Sequence, residues 1–139
     1  MRVVARRKVT EGSRSGGFAH EIEIEGGHTI VADEPAHAGG TDTGPSPVRL
    51  LAASLASCTA VTMEMYAERK GWDLGPLEVD VDTTYEGHAP TAFGVTIRLP
   101  GDLSEEQRGR LLVVASKCPV HRALTAETRV TISDRVEAV

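Results

Sequence analysis

The sequence predicts an α+β fold, with two antiparallel groups of strands around one long central helix. Three observations carry that prediction. Apolar and polar residues alternate with a period of two in the stretches before Asp33, and again between Leu77 and Leu99. Between these regions, apolar residues recur at three- and four-residue steps from Pro47 to Lys70. Glycine and proline cluster at the boundaries, where turns belong.

The elements follow in order. Arg2 to Thr10 alternates and is rich in β-branched residues, so it reads as a strand, and residues 11–17 form a polar turn. Phe18 to Glu25 places Ile22 and Ile24 on one face, and Gly26-Gly27 joins it to His28–Asp33 as a hairpin. Glu34 to Pro47 is the longest stretch without a periodic signal and reads as an ordered loop, a candidate for function. The long helix then starts with Ser46 as N-cap and Pro47 as its first residue, and Gly71 stops it after Arg69 and Lys70. Its length is about 24 residues, or about 36 Å. Its middle, around Cys58, is almost free of charge and rich in small residues, which predicts burial on more than one side and packing against a second helix.

Leu77–Glu86 and Thr91–Leu99 read as a second hairpin with its turn at Gly87–Pro90. Ser104 and Gln107 have the form of a capping box and open a helix through Leu111, Leu112, Val114 and Ala115. Pro119 ends or kinks that helix near Cys118. A short helical turn to Leu124 and a last strand, Arg129–Ile132, complete the chain.

A length of 139 residues and a hydrophobic content of 40% suit a single domain spanning residues 1–139 and are too little for two independent cores. The net charge of -5 argues against nucleic acid as a partner. The apolar runs fall short of the roughly 20 residues that span a bilayer, so no membrane association is expected. The N-terminal MRVVARRKVT has charge but no apolar segment behind it, which makes the cytoplasm the expected compartment. Two cysteines are too few for a disulfide scaffold, so a disulfide here would be transient and chemical.

The two cysteines differ in placement: Cys58 lies on the apolar stripe of the central helix and Cys118 at a helix boundary. A buried, inert Cys58 and an incidental Cys118 make the plainer reading. A metal site is disfavoured, because there is neither a CxxC nor a pair of histidines at helical spacing. In Cys118-Pro119-Val120-His121-Arg122, proline suits a first helical position, which would put the Cys118 sulfur among exposed amides that favour a thiolate. The opposite arrangement, with Cys118 closing the preceding helix, would disfavour it, and the residues alone leave both open. Cys58 is mid-helix and needs a cation from elsewhere in the fold.

The stretch Gly39–Lys70 (GGTDTGPSPVRLLAASLASCTAVTMEMYAERK), together with Cys118-Pro119-Val120-His121-Arg122 after a second helix, resembles the OsmC/Ohr family of osmotically inducible and organic hydroperoxide resistance proteins. Val31–Glu34 followed by GPSP, and MYAERKGW, resemble its OsmC-like branch more than Ohr proper. The resemblance implies an OsmC-like fold in an intertwined homodimer with sites at the subunit interface. It implies a thiol-dependent peroxidase, in which Cys58 reduces an organic hydroperoxide and Cys118 resolves the sulfenic acid as an intramolecular disulfide. A dithiol reductant, a lipoylated protein or another small dithiol, would restore the pair, and no organic or metal cofactor is needed. Ohr-like members carry a glutamate just after the proline that opens the helix, whereas Val48 and Arg49 follow Pro47 here. Arg14, in Gly12-Ser13-Arg14-Ser15-Gly16, is the best match to the arginine that activates the cysteine, and Arg49 is the other candidate cation. The missing carboxylate keeps two further readings in view: a stress-associated protein that binds a small molecule with little peroxidase activity, and a thiol-transfer enzyme that uses Cys58 on another electrophile.

Overall fold

A computed structural model describes residues 1–8 and 17–138. By contact the chain divides into two compact units, Met1–Ala53 and Ser54–Val139.

The first unit is a three-stranded antiparallel sheet in the order β1-β2-β3, with β1 at Val3–Arg7, β2 at His20–Ile24 and β3 at His28–Ala32. Val3 pairs with Ile24, Ala5 with Ile22, and Ile22 with Ile30. This register gathers Val3, Ala5, Ile22, Ile24 and Ile30 on one face, with Val4 and Val31 on the other beside Glu23 and Glu21. Within one chain that face is only partly covered, with Val3 53% and Ile30 37% exposed. Val9 and Thr10 of the first expected strand, and most of the turn after it, lie outside the described residues.

The loop after β3 contains a short 3-10 turn, Ala36–Ala38, and is organised by one buried carboxylate. Asp33 Oδ1 accepts the backbone N–H groups of Phe18 (3.1 Å) and Glu34 (2.8 Å). Its Oδ2 accepts the backbone N–H and hydroxyl of Thr41 (2.9 and 2.5 Å), and those of Thr43 (3.3 and 3.0 Å). The Thr41 hydroxyl foremost, with the backbone donors behind it, holds the Asp33 carboxyl well below the usual carboxylate range, against an opposing effect of burial. Two close backbone approaches lock the same loop. A Cβ on Gly40 would lie 1.7 Å from the Glu34 carbonyl oxygen, and one on Gly44 2.4 Å from that of Val31.

Helix α1 runs from Pro47 to Lys70 with Ser46 at its entrance, where Leu50 N–H bonds the Ser46 carbonyl (3.0 Å) and Arg49 N–H the Ser46 hydroxyl (3.4 Å). At its end Gly71 takes a φ of 67°, and Trp72 N–H reaches the Ala67 carbonyl (2.9 Å). Its buried residues are Leu55, Thr59, Met63 and Ala67, an i,i+4 stripe. Burial on several sides is therefore not realised within one chain: Val61 and Met65 are each 50% exposed. Among the described residues α1 is also the one helix long and apolar enough to cross a membrane by length and composition, although the single runs read from the sequence are short. Met63 and Ala67 of its stripe nonetheless pack in a protein core.

That core belongs to the second unit. Met63 and Ala67 meet Leu111 and Ala115 of α2 (Glu105–Ala115), with Leu74 and Leu103 closing the ends. This is the expected packing of the long helix on a second one, and the expected capping box is present between Ser104 and Gln107. Strands β4 (Glu78–Glu86) and β5 (Ala89–Arg98) form an antiparallel hairpin, with Leu77, Ile97 and Leu99 packed against the core. The turn is shorter than expected. Pro90 belongs to β5 opposite Tyr85, beside an irregularity at Thr84/Tyr85, where a residue without an N–H is tolerated.

Helix α3 spans Pro119–Leu124. The final strand expected at Arg129–Ile132 is absent, and residues 129–138 are exposed throughout. Alternation at Val130 and Ile132 suits a strand, but a strand needs a neighbour to complete its ladder, and among the described residues this segment pairs with none.

Candidate functional site

The two cysteines, remote in sequence, meet at the first turn of α3. Cys58 occupies the middle of α1 beside the buried stripe and is half-buried, whereas Cys118 is fully buried, and both are free thiols. Proline at the first position of α3 fixes the turn there, so Cys118 is the N-cap. Its Sγ accepts the backbone N–H of His121 at 3.2 Å, and its carbonyl accepts that of Arg122 at 3.1 Å. Of the two arrangements left open by the sequence, the structure takes the one that presents amides to the sulfur.

The same turn reaches Cys58. Burial pushes the Cys58 thiol above its ordinary range, the Val120 backbone N–H pulls against that, and the adjacent Cys118 thiol pushes further up through a hydrogen bond and like charge. A mid-helix cysteine gains little from its own helix, yet here the start of another helix is brought to it. The Thr62 hydroxyl donates to the Cys58 carbonyl at 2.7 Å. The Thr59 hydroxyl, also buried, donates toward Cys118 Sγ at 3.9 Å. Two thiols near enough to influence each other, one reachable and one buried, can be exchanged for a disulfide without importing a third group.

The candidate cations fare differently. Arg14 lies outside the described residues. Arg49 is exposed in the first turn of α1, about 13 Å along the helix axis from Cys58 and half a revolution around it at 100° per residue, so within one chain it does not serve Cys58. Arg122 pairs with Glu127 at 3.6 Å. The sequence reading missed the Val120 amide, because backbone donors carry no residue signature. It also missed Thr59, although this residue directly follows Cys58. Asp33 was passed over as well, and the signal for it was the Thr-Asp-Thr run at 41–43, whose hydroxyls suit a shared carboxylate.

The first unit separately holds a cavity of about 610 Å³ on the apolar sheet face, lined by Ala5, Phe18, His20, Ile22, Ala32 and Pro47 and rimmed by Asp33 and Glu34.

The family model for OsmC-like protein matches residues 40–133, more than half of the chain and a span that includes both cysteines. Among curated proteins none matches. Among solved structures, the chain is similar to a putative osmotic stress induced and detoxification response protein from Psychrobacter arcticus, with a TM-score of 0.70 at 21% identity over 80% of this chain and 83% of that one. An OsmC-like protein from Mycoplasma pneumoniae gives a TM-score of 0.71 at 19% identity, over 89% and 86% of the two chains. The organic hydroperoxide resistance protein OhrB of Bacillus subtilis gives 0.52 at 25% identity, over 88% and 87%. With the long helix, the antiparallel sheets and a family match that spans the cysteine pair, this chain belongs to the OsmC-like protein family.

Proposed function

We propose that the protein is a thiol-dependent peroxidase that reduces organic hydroperoxides. Cys58 is the attacking residue, because it is the more exposed of the two sulfurs. Its thiolate takes the distal peroxide oxygen, the O–O bond breaks, the alcohol leaves with a proton, and Cys58 becomes a sulfenic acid. Cys118 then displaces that oxygen as water and forms the disulfide, and an external dithiol reduces it through a mixed disulfide. The observation that carries this reading is a half-buried thiol and a fully buried one brought near each other at one helix start. The likeness to the organic hydroperoxide resistance protein OhrB of Bacillus subtilis supports the substrate class.

A homodimer belongs to the same proposal. The half-exposed Val61 and Met65 on α1 and the partly open apolar face of the first sheet are surfaces that a second copy would cover. Sedimentation should give a dimer that persists on dilution, and a folded monomer at all concentrations would remove this part.

The test of the chemistry is a small excess of cumene hydroperoxide added to the reduced protein, with free thiols counted by alkylation and intact mass. Wild type should lose both thiols, Cys58→Ser none beyond background, and Cys118→Ser should gain one oxygen. If both thiols persist as long as free cysteine would, the peroxidase reading fails. The reading as a small-molecule-binding protein would then stand, favoured by the raised Cys58 thiol and by the cavity in the first unit.

A further inference from the structure

Thr59 is a buried hydroxyl, 2% exposed, in the middle of a helix whose inner stripe is otherwise Leu55, Met63 and Ala67. An apolar β-branched residue of the same shape would fill that position without a polar atom to satisfy. Hydroxyls inside a helix ordinarily bond back to a carbonyl in the preceding turn. Two neighbours on α1 do so: Thr62 donates to the Cys58 carbonyl at 2.7 Å and Ser57 to that of Ser54 at 3.3 Å. Thr59 departs from this habit. Its hydroxyl is directed across to α3, to Cys118 Sγ at 3.9 Å, its one side-chain hydrogen bond among the described residues. The sulfur it meets is itself fully buried and already accepts the His121 N–H at 3.2 Å, so two donors converge on it.

We propose that Thr59 is the positioning residue of the resolving step, its hydroxyl donating to Cys118 Sγ and holding that sulfur for its attack on oxidised Cys58. The inference rests on the peroxidase reading for its second step. In that step the Cys118 thiol gives up its proton, its sulfur bonds to the Cys58 sulfur, the Cys58 S–O bond breaks, and the hydroxide leaves with that proton as water. Cys118 is oxidised and Cys58 reduced, while Thr59 keeps its own proton throughout. A hydrogen bond to sulfur strengthens as charge gathers there, so the hydroxyl contributes most when Cys118 is about to attack. The titratable group that interacts with this sulfur is Cys58 on α1, while His121 meets it through its backbone N–H.

The test compares wild type, Thr59→Val and Thr59→Ser. Valine keeps the shape and removes the donor, and serine keeps the donor. After a pulse of cumene hydroperoxide, sulfenic acid at Cys58 is followed by trapping with a dione and the disulfide by intact mass. Sulfenic acid should form at the wild-type rate, to within about twofold, in all three. Disulfide formation should slow by about three- to tenfold in Thr59→Val, because the attacking sulfur loses the donor that holds it, and should return to within about twofold of wild type in Thr59→Ser. Independently of any peroxide, the equilibrium of the Cys58–Cys118 disulfide with glutathione should move toward the disulfide by about three- to tenfold in Thr59→Val, since the reduced sulfur loses a donor. Equal resolution rates and an unchanged glutathione equilibrium in Thr59→Val would overturn the proposal. A wild type inert to peroxide whose glutathione equilibrium still shifts would sink the peroxidase reading while retaining the Thr59 contact. Failure to form the disulfide even with oxidised glutathione would overturn both.

Discussion

Replacing Gly40 by alanine should unfold the ordered loop that leads into α1, and the size of the effect follows from the atoms that the new methyl would meet. A Cβ there would lie 1.7 Å from the Glu34 carbonyl oxygen, 2.3 Å from its carbon and 2.8 Å from its Cα. Ordinary contact needs about 3.5 Å, so a backbone segment must retreat by well over 1 Å. Glu34 is poorly placed to do this: Asp33 Oδ1 holds its N–H at 2.8 Å, and its carbonyl accepts Asp42 N–H at 3.1 Å. Overpacking of this kind costs about 1–3 kcal/mol, and losing one loop hydrogen bond adds about 1 kcal/mol. At the usual unfolding entropy per residue, 1 kcal/mol moves Tm by about 3 °C for a chain of this length, so the variant should melt roughly 6–12 °C lower. Differential scanning calorimetry at one fixed protein concentration reads it. Gly101→Ala is the control, because nothing stands within 4 Å of its Cβ, and its Tm should stay within about 2 °C of wild type. A Gly40→Ala protein that melts with the wild type would refute the claim that backbone approach, rather than flexibility, requires glycine there.

Three further outcomes are expected. Gly109 lies inside α2 with open space where its Cβ would be, so Gly109→Ala should raise stability by about 0.5–1 kcal/mol in urea unfolding, and a loss would contradict the helical assignment. Burial holds the Cys58 proton on above the ordinary thiol range, so its oxidation rate should still climb about tenfold per pH unit beyond pH of about 8.5; a plateau below that point would mean that a cation lowers it in the assembled protein. The Asp33 carboxyl titrates lower when folded than when unfolded, so its stabilisation is present above the unfolded value of about 3.9 and is lost as pH falls through the folded one. Asp33→Asn should therefore flatten the acid limb of the stability curve, and an unchanged limb in acid titration by circular dichroism would contradict that role.

Much of the architecture was legible in the residues because it depends on local rules. The start of α1 at Pro47 and its end at Gly71 were read from capping chemistry, as was the box at Ser104 and Gln107. Period-two alternation located both hairpins, and it erred where pairing decides the outcome: Pro90 entered β5, and Arg129–Ile132 found no neighbour. Both cysteines could be singled out by type and placement, and their resemblance to a family could be recognised from the residues around them. What the residues could not decide was which way Cys118 faced, since a cysteine before a proline suits either the end of one helix or the start of the next. Tertiary packing chose the start of α3, and in doing so brought the Val120 and His121 amides and the Thr59 hydroxyl to the two sulfurs. Those donors are backbone groups and a residue from another helix, and their direction exists only once α1 and α3 are packed. A cysteine's partners are set by distance in space, and sequence spacing carries that distance only within one element.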